Sequence, residues 1–177
     1  MSERAKVRTV TRIYKFYDPD NEVANLLRKG ESLDKIISKY RTRLLEQKEV
    51  HGNVFLIEGV NFMWNCIKNG SCSPPFDEAN SHIGVGDGTD PEDPSQTGLT
   101  GTNKYYKKVD TGYPVVSDNK ITFRATFGAD EANFTWNEWT VANGAGDEYT
   151  NLNRKVESLG TKSQGSTWVI EVELSIS

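Results

Sequence analysis

The stretch WVIEVELSI, residues 168–176, decides the fold because apolar side chains recur at every second position along it. The apolar set occupies every second position and comprises Trp168, Ile170, Val172, Leu174 and Ile176. Glu171, Glu173 and Ser175 stand between them. Successive side chains of a strand point to opposite faces of a sheet. The stretch therefore predicts a strand with one face in a core and the other in water.

Further stretches with strand character lie N-terminal to this one and are separated by turn-forming residues. They are residues 42–50, 53–57, 82–86, 105–116, 120–127 and 133–143. A tight turn at His51-Gly52-Asn53 is expected to join the first two as a hairpin. Many short strands with turns between them predict a mainly β chain, with an antiparallel β-sandwich or barrel-like body and one or two short helices.

Residues 1–40 have a different pattern and predict an N-terminal arm, with the β-rich body spanning residues 41–177. Residues 6–17, KVRTVTRIYKFY, mix β-branched, aromatic and charged residues and predict an exposed or partner-added strand. Two short apolar-faced segments follow, the second with Ser32 as a candidate N-cap. Helices this short are not stable alone, so both must dock on the body or on a neighbouring subunit.

One longer helix is predicted inside the body, over EGVNFMWNCIKNG. Val60, Met63, Trp64 and Ile67 fall on one side of it, and Asn69-Gly70 can end it in a left-handed turn. We expect this apolar side to cover one face or opening of the sheet. Residues 86–104 are rich in Gly, Pro, Asp and Thr and predict the longest loop.

Composition narrows the classes of function. The 177 residues are 36% hydrophobic, which suits one compact domain. The formal net charge of -4 gives no electrostatic footprint for nucleic acid, so direct nucleic-acid binding is not expected. No apolar run approaches the ~20 residues that a membrane helix needs, and no secretory signal is recognisable, so we expect synthesis in a host cytoplasm. Cys66 and Cys72 are accordingly expected to be reduced.

The candidate catalytic groups are paired carboxylates. Glu171 and Glu173 project from one face of a strand about 7 Å apart, a spacing that could serve glycoside hydrolysis. Alternating glutamates more often form the solvated face of an antiparallel sheet. The same interpretation is favoured for Glu131 and Glu138. The sequence therefore predicts no catalytic residue and no enzymatic activity.

A cation site is the second candidate. Asp87, Asp90, Glu92 and Asp93 offer hard oxygen ligands, but their spacing does not follow the calcium loop of EF-hands. A solvated acidic loop is favoured, and whether it binds a cation stays open. No metal and no cofactor are predicted.

Surface aromatic residues supply the third candidate. Trp136 and Trp139 are separated by an odd number of positions, so they should lie on opposite faces of one strand. One is then in the core, and the other is at a subunit interface or, less favoured, on a sugar. Together with the first strand, this gives a predicted interaction surface. Its residues are Val7, Val10, Ile13, Tyr14, Phe16 and Trp139.

Four longer motifs carry a resemblance to a known group of proteins. They are HIGVGDGT at 82–89, SQTGLTGTNKYYKKVDTGYP at 95–114, KITFRATFGADEANFTWNEWTVANG at 120–144, and NLNRKVESLGTKSQGSTWVIEVELSIS at 151–177. With RLLEQKEV at 43–50 and IEGVNFMW at 57–64, the chain over residues 41–177 resembles structural proteins of tailed bacteriophages. Members of this group serve as head decoration, tail or fibre-associated proteins.

The resemblance implies location in a virion, homo-oligomerisation, and the major capsid protein or other virion proteins as partners. The leading hypothesis is a head decoration, or cement, protein that oligomerises on the capsid and uses residues 1–40 to tie subunits together. A tail, baseplate or fibre-adaptor subunit presenting loop 86–104 is the alternative. A carbohydrate-binding module with stacking residues Trp136, Trp139, Tyr105 or Tyr106 is a more distant one, and a hydrolase has the least support.

Overall fold

The computed structural model describes residues 7–176. Within that range the chain forms ten strands and three helices. In chain order they are β1 (Val7–Tyr17), α1 (Glu22–Arg28), α2 (Leu33–Lys39), β2 (Leu44–His51), β3 (Val54–Phe55), α3 (Ile57–Asn69), β4 (His82–Gly86), β5 (Lys104–Lys108), β6 (Val115–Ser117), β7 (Lys120–Phe127), β8 (Thr135–Ala142), β9 (Asn153–Thr161) and β10 (Ser166–Ile176).

The strands form two antiparallel sheets of five strands each. The first has the order β2-β1-β10-β7-β6 and the second the order β3-β9-β8-β4-β5. One apolar core joins the inner faces of both sheets, with large side chains from β7 and β10 on one side and from β4 and β8 on the other. The prediction of a mainly β, antiparallel β-sandwich is confirmed.

The alternation in β10 fills the core as predicted, but the other face is not all in water, because Val169 is fully buried against α1 and α2. Ile170 and Val172 are fully buried between the sheets, and Trp168 and Leu174 are nearly so. Burying an aliphatic side chain of this size contributes roughly 1.5–3 kcal/mol, so this one strand is a large source of stability. Ile176 departs from the prediction and is 60% exposed, because it lies at the end of the strand.

Strand β1 lies inside the first sheet and is not an exposed or partner-added strand. It pairs with β10 along its whole length, from Val7 opposite Ile176 to Tyr17 opposite Ser166, and with β2 on its other side. The prediction of an arm that reaches over a neighbour is wrong for this strand, because both of its edges are occupied within the chain. Removing residues 1–40 would remove a central strand.

Helices α1 and α2 cover part of the outer face of the first sheet, as the docking expectation required. Val23 and Leu27 of α1 and Ile36 of α2 are buried against apolar side chains of β1 and β10. The buried Asp18 carboxylate accepts the N–H groups of Val23 and Ala24, which would otherwise lack partners at the start of α1. Ser32 occupies the N-cap position of α2, but its side chain makes no capping hydrogen bond.

The predicted hairpin of residues 42–57 does not form. β2 belongs to the first sheet and β3 to the second, so the chain crosses between sheets at Gly52 and Asn53. The N–H of Gly52 donates to the carbonyl of Thr9, and Thr9 Oγ1 donates to Asn53 Oδ1. A glycine with φ of 78° suits this crossing as well as it suits a hairpin turn.

Both tryptophans of β8 lie in the core, so the prediction that they face opposite ways is wrong. Trp136 and Trp139 are fully buried. The pairing register of β8 with β9 shifts between Trp136 and Glu138, which marks a bulge. This irregularity interrupts the strict alternation, so Trp139 faces the core as Trp136 does, and Glu138 faces the outer side of the second sheet.

Candidate interaction surface

The structure does not bring the predicted interaction residues together on one surface. Ile13 and Trp139 are fully buried between the sheets. Tyr14 and Phe16 lie under α1 and α2. Val7 is 51% exposed and Val10 is half-buried at the far end of β1. Four of the six residues are therefore buried within this chain, whereas Val7 and Val10 stay accessible.

Helix α3 carries an exposed apolar surface that the prediction did not include. Ile57, Trp64 and Ile67 are 53%, 63% and 72% exposed, and Val60 is half-buried between them. Residues three and four positions apart lie on the same side of a helix. These four side chains, here called the α3 stripe, therefore form one continuous apolar strip along the helix.

The opposite side of α3 packs on the body, and Gly59 sets how closely. A Cβ at position 59 would lie 2.6 Å from the Cα of Leu152 and 2.7 Å from its carbonyl oxygen, so only glycine permits this approach. Glu58 Oε1 accepts the N–H of Asn151 at 2.7 Å, and the N–H of Leu56 donates to the carbonyl of Leu152. These contacts turn Trp64 and Ile67 away from the body, so the expectation that they cover the sheet is wrong.

Two further restraints fix the C-terminal half of α3. Phe62 packs edge-on against Phe76, and Phe76 packs in the same way against Phe123 of the core. A disulfide joins Cys66 to Cys72, so the prediction of reduced thiols is wrong. Gly70 ends the helix in the left-handed conformation and turns the chain back, which places the two Cα atoms 4.9 Å apart.

A buried ion pair organises the outer side of the second sheet, beneath loop 86–104. The side chains of Glu138 and Arg154 are fully buried and 2.7 Å apart. The Glu138 carboxylate also accepts the N–H groups of Gly88, Thr100 and Gly101. Glu138 is thus not the solvated residue that the alternation suggested, because the loop folds over it.

Arg154 completes this cluster with the remaining guanidinium donors. It donates to the carbonyl oxygens of Asp90 and Pro91 and to Gln96 Oε1. It also donates to Thr100 Oγ1. A buried charge with this many hydrogen bonds is well compensated, so the Pro- and Gly-rich loop is held in one conformation.

The acidic loop uses several of its carboxylates internally. Asp87 accepts hydrogen bonds from the backbone and side chain of Asn103, and Asp93 accepts from the backbone and hydroxyl of Ser95. Glu92 accepts the N–H of Val156. Across residues 7–176, no three His, Cys, Asp or Glu side chains are grouped to hold a metal ion.

The candidate catalytic pair on β10 is split between two environments. Glu171 helps to line a cavity of about 290 Å³ together with Tyr14, Asp34, Tyr113 and Arg124, and burial raises its pKa. Burial also acts on Glu173, but its ion pairs with Lys120 and Arg12 outweigh that effect and lower the pKa.

Glu131 is also held by partners and is not freely solvated. Its carboxylate contacts Arg28 and Lys107 and accepts the N–H of Gly128. Burial alone would raise the pKa of Glu131, but these partners lower it. The four candidate carboxylates thus lie in different structural environments. They are Glu131, Glu138, Glu171 and Glu173.

The sugar-stacking platform is not assembled either. Trp136 and Trp139 are both fully buried, so neither can stack on a ligand at the surface. Tyr106 is mostly buried, and its hydroxyl donates to Asp147, which together with burial raises the tyrosine pKa. Tyr105 packs edge-on against the core residue Phe127.

Comparison with protein-family models, with curated proteins and with solved structures found no match to this chain. In the part of the chain that the structure describes, none of the helices is both long enough and apolar enough to span a membrane.

Proposed function

We propose that this chain is a structural subunit of a tailed-phage particle, acting as a head decoration protein that oligomerises on the capsid. The observation that carries the proposal is the α3 stripe, a rigidly mounted apolar strip on a sandwich whose core is otherwise well covered. Exposed apolar strips bounded by polar residues are typical of protein–protein contact sites.

The way in which α3 is mounted also supports an assembly role. Gly59, the Phe62–Phe76–Phe123 contacts and the disulfide fix the helix before any partner arrives. A preorganised surface loses little conformational entropy on binding, which favours association. The disulfide further supports residence in an oxidising setting, and virion surfaces are one of the places where such bonds persist.

The assignment to a phage particle comes from the sequence motifs, since residues 41–177 resemble tailed-phage structural proteins. Contact between subunits is assigned to α3 and not to residues 1–40, because β1 is built into the first sheet. A subunit that binds only the mature shell would stabilise that state of the shell by mass action.

The second candidate is a tail, baseplate or fibre-adaptor subunit. The observation that favours it is the set of hydrogen bonds that ties loop 86–104 to the buried Glu138–Arg154 pair. Loops fixed on a rigid scaffold are common recognition elements.

Quantitative mass spectrometry of purified particles, using isotope-labelled peptides of this chain as standards, tests the proposal. Hundreds of copies per particle are expected for a head decoration protein. A few copies or a few dozen would transfer the chain to a tail structure. Absence from purified particles of the phage that encodes it would overturn both assignments.

A further inference from the structure

We propose that the α3 stripe binds the α3 stripe of a second copy of this chain, with the two helices antiparallel about a two-fold axis near residue 62. This inference rests on the proposed function, since it specifies how an oligomeric subunit would contact its neighbour. The structural basis is the spacing of the exposed apolar residues along one well-anchored helix.

The stripe is symmetric about its own centre. Ile57 and Val60 are three residues apart, as are Trp64 and Ile67, and four residues separate the two pairs. In an antiparallel pair centred on residue 62, Ile57 of one copy therefore lies opposite Ile67 of the other, and Val60 opposite Trp64. A two-fold interface requires a patch that is complementary to itself, and this pattern meets that requirement.

The alternating spacing of three and four residues is also that of helix-packing seams. Side chains at these positions form ridges that fit into the grooves of a facing helix. The large Trp64 opposite the smaller Val60 pairs a projecting side chain with a recess. Because Gly59 holds the other side of α3 against Leu152, a second helix cannot approach from that side.

Charge and the helix dipole select the antiparallel direction. Lys68 is exposed in the last turn of α3. Parallel pairing would bring the two Lys68 ammonium groups to the same end of the helix pair, where like charges repel, whereas antiparallel pairing places them at opposite ends. Antiparallel pairing also sets the positive end of one helix dipole beside the negative end of the other.

Sedimentation velocity of the purified full chain tests the interface. We expect the wild type to self-associate. The dissociation constant of Trp64→Glu should be at least tenfold larger than that of the wild type, and the dissociation constant of Leu45→Glu should be unchanged. Leu45 is the matched control because it is 65% exposed but lies on β2, outside the stripe. Circular dichroism checks that each variant is folded. A wild type that stays monomeric at millimolar concentration, or a Trp64→Glu variant that associates like the wild type, overturns the proposal.

Cysteine cross-linking tests the direction and register. A mixture of Ile57→Cys and Ile67→Cys chains should form a covalent dimer, while each variant alone should not, because residue 57 faces residue 67 only in the antiparallel pair. Cross-linking of each variant with itself would indicate parallel pairing and overturn the proposal.

These measurements use the isolated chain, and particle copy number uses the virion, so the two proposals fail separately. Loss of pairing in Trp64→Glu with normal copy number on particles would support the helix pair and locate capsid attachment elsewhere on the chain. Intact pairing of a chain absent from particles would support the helix pair and overturn the proposed function.

Discussion

Two regions of the molecule depart from the usual placement of charged and apolar side chains, in opposite directions. Beneath loop 86–104, Glu138 and Arg154 are charged yet fully buried. On α3, Trp64 and Ile67 are apolar yet more than half exposed. The buried charges find their partners inside the chain, whereas the exposed apolar groups are turned away from it. The first region therefore serves folding, and we infer that the second serves association.

The largest expected effect comes from breaking the buried pair. Glu138→Gln should lower the free energy of unfolding by roughly 3–5 kcal/mol, because the Arg154 guanidinium would remain buried without a counter-charge. Urea unfolding followed by tryptophan fluorescence measures the loss. Glu173→Gln is the control, since its ion pairs with Lys120 and Arg12 are more exposed and should be worth under about 1 kcal/mol.

A double variant keeps this test informative if Glu138→Gln alone fails to fold. Combining Glu138→Gln with Arg154→Met removes the unpaired charge and should recover part of the lost stability. If the single variant proves as mild as Glu173→Gln, the buried pair is not what holds loop 86–104.

The anchoring of α3 can be tested by the sign of the stability change that one substitution causes. Replacing a glycine by alanine inside a helix usually stabilises it by about 1 kcal/mol. Gly59→Ala should instead destabilise the protein by about 1–3 kcal/mol, because the new Cβ would overlap the Leu152 backbone. Asn65→Ala, exposed on the same helix, should be neutral or slightly stabilising. Thermal unfolding that shows the same sign for both would contradict the close contact.

Lys162 extends the comparison of buried charges, because neighbouring groups compensate its charge less well than they compensate those of Glu138 and Arg154. Its ammonium donates to the carbonyl of Gly128 and to Asn133 Oδ1, and burial lowers its pKa to about 8. The unfolded chain therefore binds more protons than the folded chain between pH 8 and the ordinary lysine pKa near 10.4. Burial of Lys162 therefore lowers the free energy of unfolding below pH 8. This loss disappears as the pH rises through that window.

The measurement compares the wild type with Lys162→Met at several pH values. Between pH 7 and 9.5 the wild type should gain roughly 1–2 kcal/mol relative to the variant. All other titrating groups are shared and cancel in the difference. Parallel pH profiles for the two proteins would show that Lys162 is not desolvated in the folded state.

The mainly β sandwich could be predicted from the sequence because alternation in β10 and the turn residues between strands report local backbone geometry. The placement of Trp139 could not, because an irregularity in the pairing of β8 with β9 interrupts the alternation without leaving a distinct residue signal. The crossing of the chain between the two sheets at Gly52 could not be predicted either, since a glycine suits both a hairpin turn and a change of sheet.

The candidate surface was only half predictable for a related reason. The helical spacing correctly gave α3 and its end at Gly70. Periodicity shows which residues share a side of the helix, but not how much of that side the body covers. That coverage depends on the contact of Gly59 with residue 152, far along the chain. Likewise, Glu138 resembles a solvated strand glutamate until loop 86–104 is placed over it.

The smallest expected effect on stability belongs to the exposed side of the comparison. At concentrations where the chain is monomeric, Trp64→Gln should change the free energy of unfolding by no more than about 0.5 kcal/mol, as is usual for surface substitutions. The melting temperature of the wild type should rise with protein concentration, because association stabilises only the folded state, and that of Trp64→Gln should not. Tyr17→Gln, exposed on β1, should keep the wild-type dependence. A loss of several kcal/mol at dilution would mean that Trp64 stabilises its own chain as Glu138 does, and the division between folding and association would fail.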